Sequence, residues 1–172
     1  ITSGLLGFPL VVIVFLIGNK IIVDIALAGI ALLSMNEYLN AVSKVSKPVK
    51  WLGYASCLSI AVIHLIPTEI LHILSILAIP IILLVLFSQI IITNMKTTFK
   101  DIAYTFIGIF YVVLSIMFIA LIYGLENGEI LIWYPIFAAW GTDIFAYLIG
   151  KHFGKHKFSK VSPKKSIEGC IG

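Results

Sequence analysis

Long apolar runs, broken by short polar stretches, set the pattern of this chain. Six runs stand out: Leu5–Ile17, Ile21–Met35, Trp51–Ile66, Ile70–Ile92, Ile102–Tyr123 and Ile130–Ile149. A helix needs about 20 apolar residues to cross a bilayer, so each run is a candidate span, the first three being short. Gly18-Asn19-Lys20 separates the first pair and Pro67-Thr68-Glu69 the third from the fourth. Merging one such pair into a re-entrant hairpin is the alternative. The predicted fold is all-α, a polytopic transmembrane helical bundle of about six spans. Pro80 lies inside the fourth run, where a kink is expected, because neighbouring groups in a membrane bundle can re-satisfy the carbonyl it frees. Trp51, Tyr54, Tyr104, Tyr123, Trp133, Tyr134 and Trp140 fall near run ends and suit an interfacial aromatic belt.

Composition strengthens this reading. Of 172 residues, 60% are hydrophobic and 12% charged, with a mean hydropathy of +1.11. Soluble domains carry about 25% charged residues, so a water-soluble fold is excluded. All twelve basic residues are lysine. Phosphate recognition in this segment therefore has ammonium groups and backbone N–H groups to draw on, without the arginine fork.

Lysine placement sets the expected orientation. Lys44, Lys47 and Lys50 lie in one polar connection, Lys96 and Lys100 in another, and Lys151, Lys155, Lys157, Lys160, Lys164 and Lys165 follow the last run. The alternate connections hold Lys20, Glu69, Glu126 and Glu129. Eleven lysines on one side against one on the other put both termini in the cytoplasm of a bacterial-type membrane. Residues 1–18 lack a charged leader and a small-residue cleavage site, so they read as a span and not as a signal peptide. The chain opens on Ile1 and stops within a motif, and is expected to be a segment at both ends. Cys57 and Cys170 fall in a span and in the basic tail, so no disulfide is expected between them. There is no convincing internal repeat, which removes support for inverted-repeat transport.

Few residues could carry chemistry. Asp24 follows Lys20 by four residues, and a surface Lys–Asp pair accounts for it. Asp143 sits in an apolar helix about two turns before Gly150, where a charge costs on the order of 2.5–3.5 kcal/mol. Either a partner on another helix or a function must hold it there. Gly141 and Ala146 beside it leave room for close helix approach or for a ligand. His152 and His156 have metal-compatible spacing, but the lysines around them disfavour a divalent ion. His64 and His72 flank the turn at Pro67 and read as satisfied interfacial histidines.

The strip 151–165 holds six lysines and two histidines. Its plainest roles are an orientation signal or a contact to anionic lipid. Ser162-Pro163 adds a helix-start signal, serine at the cap and proline in the first turn. The free N–H groups of such a turn attract anions. Lys164, Lys165 and Ser166 would stand beside it, and Glu168 could steady a lysine or help hold a cation.

The segment Trp140-x-x-Asp143-x-x-Ala146-Tyr147-x-x-Gly150-Lys151-x-x-Gly154-Lys155-His156-Lys157, followed by Ser162-Pro163-Lys164-Lys165-Ser166-x-Glu168-Gly169, resembles the phosphatidate cytidylyltransferases (CDP-diacylglycerol synthases). Ile1-Thr-Ser-Gly4 and Glu37-Tyr38 also resemble that family. The likeness is specific over residues 140–172 and looser over the apolar remainder. It implies a membrane enzyme joining CTP and phosphatidate with Mg²⁺ to give CDP-diacylglycerol and pyrophosphate. By the same resemblance, Asp143 would be catalytic and bind Mg²⁺, Lys165 would be catalytic, and Ser162, Lys164, Lys165, Ser166 and Glu168 would bind or support substrate. Residues 1–139 would be transmembrane scaffold and 140–172 the start of the catalytic region.

Two departures accompany the resemblance. Ser166 stands where the family usually has threonine. The family's later signature, a Lys-Asp pair, a Gly-His-Gly-Gly turn and an Asp-Arg-x-Asp run, is not in these residues, so they are expected to supply only part of the metal site. Expected partners are CTP, phosphatidate and membrane lipid, with a homodimer left open and no nucleic acid. The alternatives are a CTP-dependent lipid kinase of the dolichol or phytol type, and a transporter or non-enzymatic membrane scaffold. The Ser-Pro-Lys-Lys-x-x-Glu-Gly match disfavours the first, and the scarcity of polar residues at mid-bilayer disfavours the second.

Overall fold

The computed structural model describes residues 12–16, 18–158, 162 and 165–171. They form helices α1 (Lys20–Val42), α2 (Lys50–Leu58), α3 (Thr68–Ile92), α4 (Phe99–Gly108), α5 (Leu114–Gly124), α6 (Gly128–Leu131), α7 (Trp133–Phe153) and α8 (Ile167–Ile171). The chain divides into two compact units, Ile1–Glu126 and Asn127–Gly172. Four stretches are long and apolar enough to cross a membrane: Lys20–Val42, Thr68–Ile92, Phe99–Gly124 and Gly128–Phe153. Lys50–Leu65 is a shorter apolar helix, tightening into a 3₁₀ turn from Ser59. The fold is thus an all-α membrane bundle. The expected span Leu5–Ile17 lies mostly outside the described residues, of which 12–16 are helical.

In the first unit α1 is the central helix. Asn19 caps it by accepting from the Ile22 amide at 3.0 Å. Val23, Leu27, Ala31, Met35 and Leu39 repeat at helical spacing and are buried against α2, the 3₁₀ turn and α5. Lipid is as apolar as leucine, so small residues that allow close packing decide such contacts. Gly53 is one: a Cβ there would stand 3.2 Å from Met35 Sδ and 3.3 Å from Leu39 Cδ1. Gly108 is another, lying beneath the Tyr38 ring, whose hydroxyl donates to the Tyr104 carbonyl at 2.8 Å. A π-helical turn, Ile109–Val113, joins α4 to α5 within one continuous span.

The connection between α1 and α2 is pinned to the start of α4. Thr98 and Asp101 form a reciprocal capping box there. The other Asp101 oxygen accepts from the Lys47 amide at 2.6 Å, and Thr105 Oγ1 accepts from the Val49 amide at 2.9 Å. Two of the lysine-bearing connections thereby meet at one end of this unit.

At the opposite end of α1 the expected surface pair between Lys20 and Asp24 is not formed. Asp24 is only 1% exposed and its oxygens lie 2.7 and 2.9 Å from Nδ1 of His64. Lys20 Nζ instead donates to the Gly124 carbonyl at 2.8 Å. Lys20 occupies the first helical position, where its long stem can reach the end of α5, while Asp24 faces the packed interior. His64 is satisfied, as its place beside Pro67 suggested. Pro80 is contained within α3, and Leu86 is that helix's buried residue.

In the second unit α6 and α7 precede a segment that folds back. Lys157 and Ser166 form an isolated antiparallel bridge. Around it the Phe158 amide donates to the Lys165 carbonyl at 3.0 Å and the Ile167 amide to the His156 carbonyl at 2.9 Å.

Candidate active site

Glycines let the returning segment lie against α7. A Cβ on Gly169 would come within 2.6 Å of the Ala146 carbonyl oxygen and 2.9 Å of Gly150 Cα. One on Gly150 would stand 3.0 Å from Ser166 Oγ, and one on Gly154 would stand 2.6 Å from it. Ser166 therefore meets the C-terminal end of α7, and Gly169 meets it a turn earlier. Short α8 runs back along α7 toward the level of Asp143. Asp143, Ala146 and Gly150 share one helical face, at positions i, i+3 and i+7, so α8 docks on the face that carries Asp143.

The helix expected to open at Ser162 opens instead at Ile167. Lys165 and Ser166 are held in extended pairing with 157–158, which keeps their backbone out of a helix. Ser166 takes the capping role, its Oγ accepting from the Gly169 amide at 3.2 Å. A five-residue helix of this kind is no anion site by itself, so the anion-holding capacity of the segment rests on its lysines. Ser162 accepts from the Lys165 amide at 3.1 Å. Lys164 and Pro163 lie outside the described residues.

Glu168 fastens the loop. Its oxygens accept from the Lys155 amide at 3.2 Å and the His156 amide at 3.3 Å, and Oε1 lies 2.7 Å from His156 Nδ1. The imidazole first, and then surrounding backbone N–H groups, hold the carboxyl at about 2, well below its usual 4.5. Glu168 is thus a positioning group and stays ionised. His152 is engaged elsewhere, its Nδ1 2.9 Å from the Leu148 carbonyl. Since α7 ends at Phe153, His152 and His156 do not share a helical turn.

Asp143 and Lys165 remain available. Both are exposed, and among the described residues neither side chain has a hydrogen-bond or ion-pair partner. No group of three or more His, Cys, Asp or Glu among the described residues could hold a metal. Mg²⁺ fits nonetheless in one respect, because it is commonly bound by one or two carboxylates together with water and substrate phosphates. Asp143 supplies one such carboxylate.

The model of the cytidylyltransferase family matches residues 1–172. The chain belongs to the cytidylyltransferase family. The phosphatidate cytidylyltransferase of Aquifex aeolicus is 43% identical over 65 residues, covering 37% of this chain and 24% of that protein. The phosphatidate cytidylyltransferase of Staphylococcus aureus (strain COL) is 32% identical over 152 residues, 83% of this chain and 55% of that protein. That of Staphylococcus haemolyticus is 33% identical over 90 residues, 51% of this chain and 34% of that protein. The chain thus spans at most about half the length of these relatives. No solved structure matches it significantly.

For this cytidylyltransferase-family chain, the residues missed in the sequence are those that shape the loop. His156, whose spacing from His152 offers a metal ligand, instead binds Glu168. The Gly150-x-x-x-Gly154 spacing was a legible sign of close approach, but its partner Gly169 could be found only in three dimensions.

Proposed function

We propose that the protein containing this chain is a phosphatidate cytidylyltransferase, making CDP-diacylglycerol and pyrophosphate from CTP and phosphatidate at a membrane. The observation that carries this reading is the lysine-bearing segment folded onto the face of α7 that bears the exposed Asp143. Family membership along the whole chain and the names of its relatives support it.

In the reaction, a phosphate oxygen of phosphatidate forms a bond to the α-phosphorus of CTP. The bond from that phosphorus to the β-phosphate bridging oxygen breaks, and pyrophosphate leaves with the electron pair. Negative charge accumulates, so positioning and charge neutralisation are what a protein must provide. When bound, Mg²⁺ would neutralise phosphate oxygens, and Asp143 would help hold it. Lys165, with Lys164 and Ser162, would hold the phosphates of CTP or phosphatidate. Ser166 and Glu168 would set the loop that carries them, Ser166 by capping α8 and Glu168 by binding Lys155 and His156. Eleven lysines on one side support a cytoplasmic placement of this segment and of both termini, where CTP arrives from water and phosphatidate from the leaflet. Dimerisation is not needed for any of these roles.

The test is an assay of the whole protein in mixed micelles with labelled CTP, phosphatidate and Mg²⁺. Lipid-soluble CDP-diacylglycerol and an equal amount of pyrophosphate are expected. A lipid product phosphorylated from CTP with release of CDP would assign a lipid kinase instead.

A further inference from the structure

Lys151 lies on α7 itself, in its last turn, whereas Lys155, Lys157 and Lys165 follow that helix. Tyr147 stands one turn before Lys151, and Asp143 one turn before Tyr147. At i, i+4 and i+8 the three share a stripe of α7. Tyr147 and Lys151 have no part in the roles assigned to Asp143, Lys165 and Glu168.

The ammonium of Lys151 lies over the Tyr147 ring, 5.8 Å from its centroid. That is within the reach of cation–π attraction. Helical side chains lean toward the N-terminus, which here runs inward from the end of the span, toward Asp143. A lysine at a span end ordinarily extends its charge the other way, to water. The ring thus keeps Lys151 turned along the stripe. Tyr147 is 65% exposed and Lys151 is exposed. Among the described residues the ammonium has no hydrogen-bond or ion-pair partner, Asp143 included. Carboxylate and ammonium therefore both stay open, with the ring between them on the stripe. The returning segment reaches the same end of α7, since Gly150 meets Ser166, the neighbour of Lys165. The reactants carry several phosphate charges, more than one lysine offsets, and an ammonium fixed on the Asp143 stripe can take part of that charge.

We propose that Lys151 binds a phosphate group of one of the two reactants, and that Tyr147 is its positioning residue, acting through the face of its ring. The inference rests on the reaction proposed above and adds two residues to it.

The test reads binding apart from turnover. The whole protein in detergent is titrated by native mass spectrometry with CTP and Mg²⁺, and separately with phosphatidate. Lys151→Gln should weaken one of the two by about tenfold or more, as loss of a charge-assisted hydrogen bond would. The reactant affected names the source of the phosphate. Tyr147→Leu should weaken the same reactant, and Tyr147→Phe, which keeps the ring, should restore it. Lys151→Gln/Tyr147→Leu should bind no more weakly than Lys151→Gln, because the ring acts through the ammonium. In turnover the same variants should raise KM for that reactant and keep kcat.

Lys100, whose ammonium stands 6.0 Å from the centre of the Tyr104 ring on α4, is the matched control for charge, and Lys100→Gln should bind as wild type. Equal weakening in Lys100→Gln would overturn the proposal, as would wild-type affinity for both reactants in Lys151→Gln. An ammonium in the last turn also offsets the helix dipole. A lowered melting temperature with both affinities unchanged would leave Lys151 that role alone and overturn the proposal. Full additivity in the double variant would remove Tyr147 as its positioning residue. A wild-type protein that makes no CDP-diacylglycerol would sink the proposed reaction, while the affinities would still decide whether Lys151 holds a phosphate.

Discussion

His156 Nδ1 and Glu168 Oε1 lie 2.7 Å apart, one of the contacts that close the loop carrying Lys157 and Lys165 back onto α7. Its acid dependence has a definite sign. The carboxyl is depressed from 4.5 to about 2, so its contribution is complete above about pH 4.5 and is lost as pH falls through about 2. The loop should therefore stay closed across the physiological range. Glu168→Gln should open it at neutral pH, seen as faster amide hydrogen exchange at Lys155 and His156. Unchanged exchange there would show that the glycine contacts alone hold the loop.

Asp143 is the carboxylate on the face where α8 docks, and among the described residues its side chain has no partner to lose. Asp143→Asn in the whole protein should lower Mg²⁺-dependent turnover by at least about a hundredfold, since charge neutralisation is the main demand of the reaction. Membrane insertion and melting temperature should not change. Retained turnover would remove Asp143 from the site. Lys165→Ala should act differently, raising the KM for CTP or phosphatidate by about tenfold, as loss of one charge-assisted hydrogen bond would.

Gly169 tests the docking itself. The atoms a Cβ would meet are the Ala146 carbonyl and the Gly150 Cα, both backbone, so neither can rotate away. Gly169→Ala should displace α8 at a cost of about 1–3 kcal/mol, the usual range for overpacking. Limited proteolysis between Gly154 and Ile171 should then quicken, and turnover should fall without loss of insertion. Gly141→Ala, with open space at its Cβ, is the matched control and should be silent.

How much of this was legible in the sequence depended on the range of each interaction. Apolar run length located the helices at Lys20–Val42, Thr68–Ile92, Phe99–Gly124 and Gly128–Phe153, because span length is a local property. Asp143 stood out for the same reason, as a charge in an apolar run. Ser162-Pro163 misled because capping preference is local, while the Lys157–Ser166 bridge that overrides it joins two strands of a loop. Asp24 misled likewise: spacing offered Lys20 as its partner, and the actual partner is His64, forty residues away. That the connection carrying Lys47 meets the start of α4 is visible only from the pinning by Asp101 and Thr105, more than fifty residues away.

The Asp24–His64 pair sets the last expectation, which concerns stability and not the reaction. Asp24 is buried and His64 nearly so, with Gly124 packed against the imidazole. Removing one partner of a buried pair strands the other, at a cost of about 3–5 kcal/mol. His64→Leu should therefore lower the melting temperature in detergent sharply, and Asp24→Asn should lower it through the lost charge on the imidazole's partner. The double variant Asp24→Asn/His64→Leu should lose less than the sum of the two, because no carboxylate is then left buried. Strict additivity would mean that the two groups are not coupled. Gly124→Ala should reproduce part of the loss, since its Cβ would overlap the His64 ring and force the pair apart.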